Sequence, residues 1–97
     1  MANVIISYDI KNEPAGIHDT LKEYLIRICG FSDFVLAGNK WCRLPNTTLI
    51  KGNVSAQEAA EEFEAACRIV NATCEKYITS EYGRSMVDSD VILDKKP

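Results

Sequence analysis

A chain of 97 residues with 46% hydrophobic residues, 26% charged residues and a formal net charge of −3 has the composition of one small domain over residues 1–97, with no length left for a second. No apolar run approaches the ~20 residues of a membrane helix. Met1-Ala2-Asn3-Val4-Ile5-Ile6 also lacks the basic stretch and small-residue cleavage site of a secretory signal, so a cytoplasmic protein with no membrane contact is expected.

Residues 3–10, Asn-Val-Ile-Ile-Ser-Tyr-Asp-Ile, read as a strand. Val4, Ile6, Tyr8 and Ile10 fall on one face, with Ile5, Ser7 and Asp9 on the other. Lys11 to Gly16 supply turn chemistry, with Pro14 suited to the approach to a helix. From Ile17, apolar residues recur at spacings of three and four (Ile17, Leu21, Tyr24, Leu25, Ile28), and Gly30 stands where a C-terminal cap is favoured. Phe31–Leu36, Trp41–Leu44 and Thr47–Lys51 are extended in character, so residues 33–52 are expected to form an antiparallel hairpin whose turn the sequence leaves open.

Ser55 followed by Glu58 is a capping box, and the helix it opens carries Ala56, Ala59, Ala60, Phe63, Ala66, Cys67 and Val70 on one side. Thr73–Ser80 is again strand-like, and Val91-Ile92-Leu93 is a short apolar stretch beyond a polar segment. The order predicts an α+β domain of the ferredoxin-like βαββαβ plan: one antiparallel sheet, two helices on one face and a short extra C-terminal strand. Helices on one face leave the other to water or to a partner. Ile5 on that open face, in so small a domain, points to a homodimer, joined through the sheet face or by exchange of the 91–93 strand; the alternative is a monomer whose 91–93 tail folds onto its own sheet edge.

Four cysteines, Cys29, Cys42, Cys67 and Cys74, have neither the close pairs nor the histidines of a zinc site. In a reducing compartment they read as small buried hydrophobes. Residues 1–52 hold six basic and five acidic side chains and residues 53–97 hold five and nine, so no basic arm announces nucleic-acid binding.

Candidate chemistry is sparse. Asp9, at the carboxyl end of the first strand, is a candidate catalytic and metal-binding residue: two such carboxylates meeting at a dimer axis could hold Mg2+ or Mn2+. A strand-end Asp that bonds turn amides is the plainer alternative. His18, the chain's one histidine, could serve as a general base but has no positioned partner in sequence. Lys40, Trp41 and Arg43 could combine stacking with phosphate contact, and Arg84, in Gly83-Arg84-Ser85, is a further candidate contact to nucleic acid.

The run Val4-Ile5-Ile6-Ser7-Tyr8-Asp9-Ile10, the helix ending at Gly30-Phe31, and Trp41–Leu44 leading to Thr47-Thr48-Leu49-Ile50 resemble the small bacterial proteins of the SinR group. Those are similar in turn to the CRISPR-associated spacer-adaptation ribonucleases and the virulence-associated toxin D group. The resemblance covers residues 3–80 and implies a ferredoxin-like homodimer. In some members it implies a metal-dependent nuclease using the first-strand aspartate, here Asp9; other members are structural partners in DNA-binding complexes. Two functions are therefore expected to compete: a non-catalytic module that binds protein or nucleic acid, and a metal-dependent endonuclease.

Overall fold

The computed structural model describes residues 2–83 and 89–97. Its elements run β1 (Ala2–Ile10), α1 (Ile17–Arg27), β2 (Phe34–Ala37), β3 (Lys40–Arg43), β4 (Thr48–Val54), α2 (Ala56–Val70), β5 (Cys74–Tyr82) and β6 (Ile92–Leu93). The α+β class and both helices are as expected. The single sheet is not: the described residues form two three-stranded antiparallel sheets, ordered β4-β1-β5 and β2-β3-β6.

β1 is central because its alternation satisfies a core. Val4, Ile6, Tyr8 and Ile10 are each at most 4% exposed, and their pleat faces both helices. They pack with Ile17, Leu21 and Leu25 of α1, with Ala59, Phe63 and Ala66 of α2, and with Leu49 and Val54 of β4. α1 ends where Gly30 takes a left-handed φ of 81°, which lets the Phe31 N–H return to the Leu25 carbonyl at 3.0 Å. Its apolar stripe was expected to include Ile28, but the last turn rotates that side chain outward and leaves it 68% exposed.

α2 begins with the expected box. The Glu58 N–H donates to Ser55 Oγ and the Ser55 N–H to Glu58 Oε1, both at 3.0 Å. The two helices are tied near the end of α1 by Lys51, whose ammonium donates to the Cys29 carbonyl and to Glu62.

The expected 33–52 hairpin is shorter than predicted, for a local reason. Gly38 at φ 60° turns the chain tightly, so that Phe34 pairs with Arg43 and Ala37 with Lys40. Pro45, which has no N–H to give a ladder, and Thr47 at φ 59° then redirect the chain. β4 therefore leaves the hairpin and pairs with β1, Ile5 opposite Ile50 and Ser7 opposite Thr48. β6 closes the small sheet instead, Trp41 opposite Leu93. One antiparallel bridge, Ser32 to Ile50, links β4 to the chain just before β2.

Candidate functional site

Alternation along the three strands β4-β1-β5 sets which side chains leave the core. On β1 these are Asn3, Ile5, Ser7 and Asp9, beside Thr48 and Ile50 of β4 and Lys76, Ile78, Ser80 and Tyr82 of β5. Among the described residues no helix covers this outer face, but the small sheet covers one end of it: Val35, Cys42 and Leu44 form a second cluster against Ile50. That leaves the β1–β5 half, where Ile78 is 66% exposed at the middle of its strand. Sequence reasoning missed Ile78 as an exposed position. The signal was present, because Tyr77 must turn inward to meet the helices and its neighbour must then turn out.

Asp9 sits beside Ile78 on this face. Its partner is Lys76, directly across the ladder, with Nζ–Oδ2 3.8 Å and both side chains more than half exposed. An exposed pair of this kind contributes little to stability. Its carboxylate therefore meets a lysine rather than the turn amides of the plainer reading. Ser7, Tyr8, Asp9, Lys76, Tyr77 and Ile78 line a shallow depression of about 290 Å³.

Beneath the depression the core is aromatic. The Tyr8 and Phe63 rings lie 5.0 Å apart and the Phe63 and Tyr77 rings 5.1 Å, within the range of favourable tilted pairs. The Tyr77 hydroxyl donates to Glu64 Oε1 at 2.8 Å, which raises the Tyr77 pKa, and burial pushes Tyr8 up to about 12. Neither phenol is poised to exchange protons near neutrality.

As a metal centre, Asp9 is sparsely supplied. Among the described residues no three His, Cys, Asp or Glu side chains converge, whereas a hard divalent cation takes about six oxygens. His18 is not brought to Asp9's side of the sheet: it lies in the first turn of α1, in the helix layer. All four cysteines are free thiols, with Cys42 and Cys67 buried and Cys29 and Cys74 half-buried. Burial raises the pKa of Cys67, to about 11, and is also the largest cause of the upward shifts of Cys29 and Cys74, which suits small hydrophobes rather than thiolate ligands.

The nucleic-acid candidates divide. Trp41 and Arg43 share one face of β3, while Lys40 alternates to the other with Cys42. Lys40 pairs with Asp94, holding that carboxyl below its ordinary range. The Arg43 guanidinium lies 5.1 Å from the centre of the Phe34 ring, and Lys96 Nζ lies 6.0 Å from that of Trp41. Sequence reasoning missed Lys96, because only the β3–β6 pairing brings it back to the hairpin. Arg84 lies outside the described residues.

Among the described residues, no helix is long and apolar enough to cross a membrane. No family model, characterised protein or solved structure matches the chain.

Proposed function

We propose that the chain is a non-catalytic interaction module that works as a homodimer, with the uncovered half of β4-β1-β5 as its self-association face. The observation that carries this reading is Ile78, 66% exposed at the centre of a helix-free sheet face. The face is also self-complementary in charge. It carries both Asp9 and Lys76, so a two-fold axis close to Ile78 lets each protomer offer an anion and a cation to its mate. A small domain gains from the added burial.

The ferredoxin-like plan belongs to the same proposal. The Ser32–Ile50 bridge lies on the β4 edge, where a fourth strand of that plan would stand, with the chain diverted afterwards into the β2–β3 hairpin. The CRISPR-associated or toxin-like setting rests on the resemblance of the first strand and the Gly30-Phe31 helix end.

The test is the solution mass of two exposed-isoleucine variants, measured by size-exclusion chromatography with light scattering. Ile78→Asp is expected to give monomers. Ile28→Asp, equally exposed but on the helix layer, is expected to remain dimeric. Two variants of the same mass would refute the proposed face.

Asp9 supports a second reading, a Mg2+- or Mn2+-dependent endonuclease, because its carboxylate occupies the same face that the dimer axis would cross. That reading requires metal-dependent cleavage of RNA or DNA that disappears in Asp9→Asn. Unchanged cleavage in the variant would end it.

A further inference from the structure

The small sheet concentrates positive charge that the chain average hides. Residues 40–43 and 90–97 contain Lys40, Arg43, Lys95 and Lys96 against Asp90 and Asp94 in a chain of net charge −3, and Lys40, paired with Asp94, lies on the face opposite Trp41 and Arg43. The same sheet holds the chain's one tryptophan. Pairing places Trp41 on the middle strand, opposite Leu36 on one side and Leu93 on the other, so its indole lies mid-sheet. Leu36 is 53% exposed, so the row is open to solvent at that side. Arg43 is two residues along the same strand and on the same face. Among the described residues, the Lys96 ammonium lies over the half-buried indole, 6.0 Å from the ring centre.

We propose that this face binds single-stranded nucleic acid. One unpaired base stacks on Trp41, Lys96 moves from the ring to a neighbouring phosphate, and Arg43 meets a second phosphate. An exposed ammonium over an indole is held more weakly than a stacked base, so the exchange favours the ligand, and the displaced cation is used again. The ligand is single-stranded because a duplex keeps its base faces stacked inside. An acidic peptide would satisfy the lysines but has no flat ring to use the indole. The surface is formed by β2-β3-β6 and is separate from the proposed dimer face on β4-β1-β5, so either proposal can fail alone.

Trp41 is its own reporter. The intact protein is titrated at low salt with oligothymidylate and oligouridylate of about ten nucleotides, following tryptophan emission and the anisotropy of labelled oligomer. The expected result is quenching that tracks binding. Arg43→Ala and Lys96→Ala are each expected to reduce the slope of log affinity against log salt by about 0.7, and Trp41→Leu to weaken binding about tenfold. Should Trp41→Leu fail to fold, the two exposed cation variants decide the matter. The proposal is overturned if neither oligomer quenches, if binding leaves the emission unchanged, or if polyglutamate or a duplex binds as well as the single strands. The thymidylate and uridylate arms separate DNA from RNA.

Discussion

Tyr8 shows what one buried polar side chain does to the protein's pH response. It is 3% exposed, and burial first, then the neighbouring Cys67, raises its pKa from 10.0 to about 12. The folded state favours the neutral phenol, so its contribution is fully present below pH 10 and is lost as the pH climbs towards 12. Cys67 acts in the same direction from 9.0 to about 11. Circular dichroism against pH is therefore expected to show unfolding that sets in above about pH 9, and Tyr8→Phe is expected to move it to higher pH. A variant that unfolds at the same pH would show that Tyr8 does not carry this linkage. That Tyr8 turns in and Asp9 turns out was legible in the sequence, because a period of two is a local property. That Asp9 would meet Lys76 was not, since it depends on how a distant strand aligns.

The helices carry their own instructions at the element scale, and two substitutions test them. Ser55→Ala removes the hydroxyl that accepts the Glu58 N–H and is expected to cost about 1 kcal/mol in urea denaturation. Gly30→Ala forces a Cβ into a left-handed turn where the added atom meets only ordinary contacts, the nearest being Lys51 Cε at 3.7 Å. Its expected cost, again about 1 kcal/mol, is therefore backbone strain alone.

Both helix ends were readable because a cap acts within four residues. The pairing of β4 was not. Leu49 and Val54 would bury their side chains equally well beside β1 or in a hairpin with β3, and the choice is made by Pro45 and the left-handed Thr47 between them. The same redirection moved the end of the small sheet onto Ile50 and closed part of a face that the element order had left open. For the candidate nucleic-acid side chains, spacing grouped Lys40 with Trp41 and Arg43, whereas strand alternation separates them.

For the whole molecule, one layer of helices meets one face of β4-β1-β5, and the β1–β5 half of the opposite face keeps an isoleucine, an aspartate and a lysine in solvent. In the proposed dimer a second copy completes that face. Charge steers such an association more than it strengthens it. Raising the salt concentration is accordingly expected to slow dimer formation while leaving the dimer intact.

The most direct test is sedimentation equilibrium of the unaltered protein at micromolar concentration. A dimer sediments as a species of twice the 10.8 kDa chain mass, and a single species at the chain mass across the concentration range would rule the dimer out.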